Sequence, residues 1–331
     1  MKKLALVLTL VAILAFTISP SMAQDQTIAD IVVASATGET PEFTVLLTAV
    51  QAADPAVLEA LSDPEASLTV FAPTDAAFAA LIEALGEEAF GEIVADPEML
   101  TAILLYHVLD GAVMSSDVVA ALEAGEGAFT VPTLLGQYLN VAATEEGGVT
   151  VDSANVVLEM VDIEASNGVI HVIDAVLVPE ARTIAEIVVE SAGAEEPQFT
   201  TLLAAVGAAD PAVLEALSDP EAELTVFAPT DEAFAAVPAD LLAAVLADPA
   251  MLTDILLYHV VEGTVGSVAV VELLGEMMEA EVTMLNGDVA TITVDEEGGV
   301  FINDAEIVIT DIDAVNGIIH VISAVILPPA E

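Results

Sequence analysis

The chain contains two copies of one pattern. Thr27-Ile28-Ala29-Asp30-Ile31-Val32-Val33 returns as Thr183-Ile184-Ala185-Glu186-Ile187-Val188-Val189, and Ala52 to Ala66 is identical to Ala208 to Ala222, both at an offset of 156. Tyr106-His107 returns as Tyr258-His259 at an offset of 152, and Asn167-Gly168 as Asn316-Gly317 at 149, so the second copy carries small deletions. A period near 150 residues far exceeds a solenoid unit and is the size of a whole globular domain. Two separately cored domains are expected, residues 24–180 and 181–331, joined by Pro179-Glu180-Ala181-Arg182. So short a connection restricts their relative orientation.

The first half of each copy reads as helix. Asp54-Pro55 precedes Ala56-Val57-Leu58-Glu59-Ala60-Leu61, with Asp placed to cap open N–H groups and Pro suited to the first turn. The same signal stands at Asp96-Pro97 and at Asp248-Pro249. The second half reads as strands: Leu139 to Thr144 and Val149 to Ala154 flank a Gly-containing connection, and Thr291 to Val294 and Val300 to Asn303 repeat the arrangement. Asn167-Gly168 and Asn316-Gly317 are expected to form tight hairpin turns in which Asn-Gly supplies positive φ angles. Helices segregated from an antiparallel sheet define an α+β domain.

Residues 1–23 read as an export signal, with Lys2 and Lys3 ahead of the apolar run Leu4 to Ile18 and the small-residue stretch Ser21-Met22-Ala23. Fifteen apolar residues fall short of the roughly 20 that a spanning helix needs, so a mature chain starting at Gln24 is expected. It would keep all 55 acidic residues and only Arg182 as a cation, a formal charge of −54 against −52 for the whole sequence. Phosphate neutralisation requires several Lys or Arg side chains, and anionic lipid repels such a chain. Nucleic acid and anionic membrane surfaces are thereby excluded as partners. The 56% of hydrophobic residues fall in periodic blocks, so the chain folds despite its charge. Without cysteine, its stability rests on the cores. Self-repulsion on this scale predicts a salt-adapted setting or reliance on divalent cations.

Chemistry-bearing residues are few. The four histidines, at 107, 171, 259 and 320, sit in apolar contexts at two repeat-equivalent places, with no His-x-x-x-His or His-Glu-x-x-His spacing. They read as hydrogen-bonded core histidines. There is no Cys, no Lys beyond the leader and no Gly-x-Ser-x-Gly elbow, and no catalytic residue is assigned. Asp311-Ile312-Asp313 ahead of Asn316-Gly317 lacks the ligand order of an EF-hand and reads as a strand end before a turn. No metal site and no cofactor are expected beyond diffuse binding of divalent cations such as calcium over the acidic surface.

Thr69-Val70-Phe71-Ala72-Pro73-Thr74-Asp75 and Thr225-Val226-Phe227-Ala228-Pro229-Thr230-Asp231 read as a buried strand, a proline stop and a Thr-Asp helix cap. These blocks resemble the first signature box of fasciclin-like domains. The second box is similar to Asn167-Gly168-Val169-Ile170-His171-Val172-Ile173 and Asn316-Gly317-Ile318-Ile319-His320-Val321-Ile322, and the family's Tyr-His pair falls between the boxes at Tyr106-His107 and Tyr258-His259. The resemblance covers essentially the whole mature chain. It implies a compact wedge of small β-sheets packed with several helices, a secreted or cell-surface location, and a role in cell adhesion or matrix organisation. The same resemblance offers Tyr106, His107, Tyr258 and His259 as a partner-binding region, beside a reading of the same four as core packing with hydrogen bonds. Ser323 stands where the first copy has Asp174, which leaves open whether the second domain keeps a hydrogen bond made in the first.

The expected function is extracellular adhesion or matrix binding, with a cell-surface or matrix protein or a polysaccharide as partner and avidity from the tandem arrangement. The alternative is an acidic structural component of an envelope or biofilm that holds cations without a defined partner.

Overall fold

The computed structural model describes residues 26–329 apart from 126, 145, 195–196, 275–278 and 296–297. The export signal expected at residues 1–23 lies outside the described residues. Both domains are α+β, and both begin with the same local chemistry. Helices Ile28–Ala36 and Ile184–Gly193 are closed by capping boxes, in which the Thr27 and Thr183 hydroxyls accept from the N–H groups of Asp30 and Glu186 while those carboxylates accept in return. The Asp-Pro signals start helices as expected at Pro55–Ser62, Pro97–Tyr106, Pro211–Ser218 and Pro249–Leu257, each with the Asp carboxylate on an open N–H.

Helices Thr44–Ala52 and Thr200–Ala208 begin differently. Their preceding residues, Phe43 and Phe199, adopt left-handed backbone at φ 63° and 60°. For a non-glycine residue this costs about 1–3 kcal/mol. Both rings are buried, at 3% and 5% exposure, and burying a phenylalanine contributes about 1.5–3 kcal/mol. The core contact thus holds the strained backbone in place.

At the centre of each domain lies a parallel strand pair. Leu68–Pro73 runs alongside Gly168–Ile173, and Leu224–Pro229 alongside Gly317–Ile322, with every residue of the first strand in each pair buried. This explains why these strands read as unbroken apolar runs and lack alternation. Short antiparallel strands, Val108–Asp110 and Val260–Glu262, complete one edge. Helices pack on the sheet to make one apolar cluster per domain, and a second cluster sits at the strand-rich end, around Leu139, Val141 and Val151 in the first domain and Ala290, Ile292 and Ile302 in the second.

The Asn-Gly pairs do turn the chain in a hairpin, with Ala165 opposite Gly168 and Ala314 opposite Gly317. The reason differs from the expected one, because Asn167 and Asn316 do not have positive φ. Asn167 is instead a buried hub: its Oδ1 accepts from Ile28 N–H at 2.8 Å, and its Nδ2 donates to the carbonyls of Leu61 and Asp63 at 3.0 and 2.9 Å. Asn316 repeats these bonds to Ile184, Leu217 and Asp219. Glycine follows because a Cβ at 168 would lie 1.9 Å from the Leu68 carbonyl oxygen, and at 317 would lie 1.8 Å from that of Leu224.

Candidate functional site

The Tyr-His pairs are enclosed. Tyr106, His107, Tyr258 and His259 are all at most 5% exposed. Each His follows the last turn of its helix, where one ring nitrogen meets a carbonyl and the other meets an N–H. His107 Nδ1 lies 2.7 Å from Ile103 O, and Nε2 lies 3.0 Å from Leu177 N. His259 does the same with Ile255 O and Ile326 N, at 2.7 and 3.2 Å. A carbonyl can only accept and an N–H can only donate, so both rings are neutral with the proton on Nδ1. Burial then pushes both pKa values down to about 4 against the support of the carbonyl bond.

His171 and His320, one on each central strand, carry the opposite tautomer. Their Nδ1 atoms accept from Asp162 and Asp311 N–H, both at 3.3 Å, and their Nε2 atoms donate to Val113 O and Val265 O at 2.9 and 2.8 Å. They also stack obliquely on Phe71 and Phe227. Burial lowers the His320 pKa, against the Val265 bond and the Asp311 charge. All eight imidazole nitrogens thus have backbone partners, leaving none free for a metal or a proton-transfer role.

The two tyrosines differ in the direction of their hydrogen bonds. Tyr106 donates to Asp152 Oδ2 at 2.8 Å. Burial, and then the Asp152 charge, raise its pKa far above the usual range. Tyr258 accepts from Asn303 Nδ2 at 3.0 Å and donates to Val289 O at 3.0 Å. Asp152 and Asn303 occupy equivalent left-handed positions, φ 49° and 51°, and one carboxylate-to-amide exchange reverses the bond.

The first box positions its residues as the sequence implied. Phe71 and Phe227 enter the core, Pro73 and Pro229 end the strand, and the Thr74 and Thr230 hydroxyls accept from Ala77 and Ala233 N–H to start the next helix. Asp75 does not cap its own helix. It accepts from Val45 N–H and the Thr44 hydroxyl, at 3.0 and 2.7 Å, closing the helix led by Phe43, and Asp231 does the same at Thr200 and Thr201. Burial opposes ionisation of both carboxyls, but these hydrogen bonds outweigh it and hold the pKa values below the usual range.

The short connection at Pro179-Glu180-Ala181-Arg182 is held by contacts that its sequence does not display. Gln137 exchanges two hydrogen bonds with the backbone of Glu180, at 2.7 and 2.9 Å, while Val315 N–H donates to Arg182 O at 2.8 Å, so the linker is tied to both domains. Arg182 forms ion pairs with Glu180 and Glu190. Across the gap, Thr130 donates to Asp311 Oδ2 at 2.8 Å and Tyr138 N–H donates to Asp313 Oδ2 at 2.9 Å. The Tyr138 ring occupies the space that a Cβ on Gly266 would take. Asp313 is pushed up to about 7, first by burial and then by Asp311, Asp152 and Glu180, against the Tyr138 bond. Glu164, its sequence counterpart in the first domain, is exposed. Among the described residues, no three His, Asp or Glu side chains converge on a point that could hold a metal ion.

The model of the fasciclin domain matches residues 41–179 and again 197–328. The chain belongs to the fasciclin family. Protein sll1483 of Synechocystis is 41% identical over 155 residues, which is 46% of this chain and 80% of that protein. Transforming growth factor-beta-induced protein ig-h3 of Sus scrofa is 30% identical over 265 residues, 79% of this chain but only 35% of that protein. Human periostin is 33% identical over 178 residues, 54% of this chain and 18% of that protein. Among solved structures, the domain pair of the insect cell adhesion molecule fasciclin I covers 87% of this chain and 96% of its own, at 20% identity and a TM-score of 0.39. The two fasciclin domains are what the two sequence copies encode.

Proposed function

We propose that this tandem fasciclin protein is exported and acts outside the cell as an adhesion or matrix-binding protein, without catalysis. The observation that carries this reading is the pairing of two domains through a linker hydrogen-bonded on both sides. Two surfaces held in fixed relation bind a repetitive partner with avidity. The partner is a cell-surface or matrix protein or a polysaccharide, and it meets the outer surface of the domains. Because Tyr106, His107, Tyr258 and His259 are enclosed, they act by shaping that surface from beneath.

A second reading is favoured by the charge alone. With a formal charge of −52 on 331 residues, the protein would serve as an acidic, cation-holding component of an envelope or biofilm. Direct pairing of two copies through ion pairs is excluded by the near absence of cations, so contact between copies would need bridging divalent ions or apolar contact. The two readings separate in one experiment: binding of the purified protein to intact cells and isolated matrix, with and without calcium, across a salt series. Saturable binding that is lost when the outer surface of one domain is altered supports adhesion. Calcium uptake without saturable binding overturns it in favour of the structural role.

A further inference from the structure

The strand-rich end of the first domain encloses a cavity of about 340 Å3, within the range of ~300–1,000 Å3 typical of small-molecule sites. Its origin lies in the unequal spacing of the two copies. Between Ala154 and Asp162 the first domain has two more residues than the second has between Ala305 and Asp311. In the second domain a single strand, Ala305–Ala314, spans the stretch, with register shifts between Ile307 and Ile312. In the first it is broken by a 3-10 turn at Leu158–Met160, and Leu158 and Val161 from this detour form one wall of the cavity. On the opposite side the first domain has Val141, Val151 and Val156 where the second has Ile292, Ile302 and Ile307, so it lacks three methyl-sized fillings.

The chemistry of the lining is one-sided. Of its polar members, Thr69 bonds the backbone of Gly111 and Val113, Ser115 donates to Asp162, and both His171 nitrogens are engaged. No buried side-chain nitrogen or oxygen among the described residues lacks a partner. A ligand that carried donors or acceptors into the interior would leave them unpaired there, so a single terminal hydroxyl fits only at the mouth, where water reaches it. Two apolar side chains of the lining also face water, Leu158 at 54% and Val119 at 50% exposure, so the opening is greasy as well as the interior. An anionic amphiphile such as a fatty-acid anion must in addition enter against the field of the acidic protein.

We infer that this cavity of the first domain binds an uncharged, hydrocarbon-rich small molecule, such as a long-chain alcohol, making the domain a carrier or sensor of apolar compounds independently of any adhesive role. Entry past Leu158 removes apolar surface of both ligand and protein from water, which drives binding without any hydrogen bond. The second domain, with its unbroken strand and its three isoleucines, is the internal reference.

The test uses the full chain and the uncharged fluorophore N-phenyl-1-naphthylamine, titrated with and without dodecanol or dodecanoate as competitor. The expected result is saturable enhancement, one probe per chain, displaced by dodecanol and far less by dodecanoate. A variant carrying Val141→Ile, Val151→Ile and Val156→Ile should bind about tenfold or more weakly, since ligand carbon driven from the cavity returns to water. Leu158→Gln, at an exposed position that leaves the core intact, should weaken binding too and gives the answer if the triple variant fails to fold. Absence of saturable binding overturns the inference. So does binding that both variants leave unchanged, or displacement by the two competitors equally.

Discussion

The second domain carries its strands in one seven-stranded sheet, whereas the first divides its strands between two four-stranded sheets. The two share their parallel central pair, their buried asparagine hubs and their histidine tautomers, so the difference does not arise in the cores beneath the signature boxes. It arises from two residues. In the second domain a strand with register shifts between Ile307 and Ile312 carries the ladder from one half of the sheet to the other. In the first, the extra pair cannot be absorbed as a bulge, and the chain leaves the ladder at Leu158–Met160. The comparison shows which parts of the domain are over-determined, being held by several independent bonds, and which are balanced closely enough for a short insertion to rearrange.

The shared parts should break hardest and alike. Gly168→Ala and Gly317→Ala each drive a Cβ into a carbonyl of the central strand at a φ above 140°, and each should destabilise its own domain by more than about 3 kcal/mol. Calorimetry of the two single variants would show the same loss in both domains. A large loss in one and none in the other would mean the hubs are not equivalent.

Acidity should separate the junction from the cores. His107 and His259 have folded pKa values depressed to about 4. Their stabilisation is fully present above the unfolded value near 6.5 and is lost as pH falls through about 4. Asp313 runs the other way. Its folded pKa is raised to about 7, so its contribution is fully present below about 4 and is lost as pH rises through about 7. Denaturation followed between pH 8 and pH 4 should therefore show Asp313→Asn flattening the gain on mild acidification. The loss that sets in between pH 6.5 and pH 4 should persist in that variant. An unchanged profile would place Asp313 outside the titrating set.

A third change sharpens the sheet comparison. Deleting Glu159 and Met160 gives the first domain the spacing of the second, and should extend slow amide exchange continuously across the segment from Ala154 to Ala165. Protection that remains split at this point would show that side chains other than the extra pair interrupt the ladder. The smallest effect concerns the one signature-box departure. Asp174 accepts from both the backbone and the side chain of Asn155, at 2.7 and 2.9 Å, while Ser323 keeps only the backbone bond, from Glu306 N–H at 3.0 Å. Asp174→Ser should cost the first domain about 1 kcal/mol or less, the value of one exposed hydrogen bond. A loss of several kcal/mol would mean that Asp174 does more than its counterpart.

Much of this was legible in the linear chain because it depends on neighbours in sequence. The repeat set the domain number, and the Asp-Pro pairs and the Thr-Asp pairs of the first signature box marked helix starts. The apolar runs at Leu68 and Leu224 marked the central strands, since a strand buried on both faces has no polar side to alternate. The burial of the histidines followed from their apolar flanks. Their tautomers did not, because the deciding partners, Leu177 N–H for His107 and Val113 O for His171, lie 70 and 58 residues away. Asn-Gly marked the turn correctly but concealed its cause, which is a glycine pressed against a strand some 100 residues earlier. The last part of the repeat drift, two residues between the Ala154/Ala305 and Asp162/Asp311 pairs, was the trace of the cavity, visible as a difference in spacing though not as a space. Asp313 and Glu164 are equivalent positions, yet Glu164 stays exposed while Asp313 is buried at the junction, and that burial, with the neighbouring carboxylates, pushes Asp313 up to about 7 against the Tyr138 bond. Local backbone preference and hydrophobic period were written in the sequence. Which groups lost their water, and against what, was decided only when distant segments packed together.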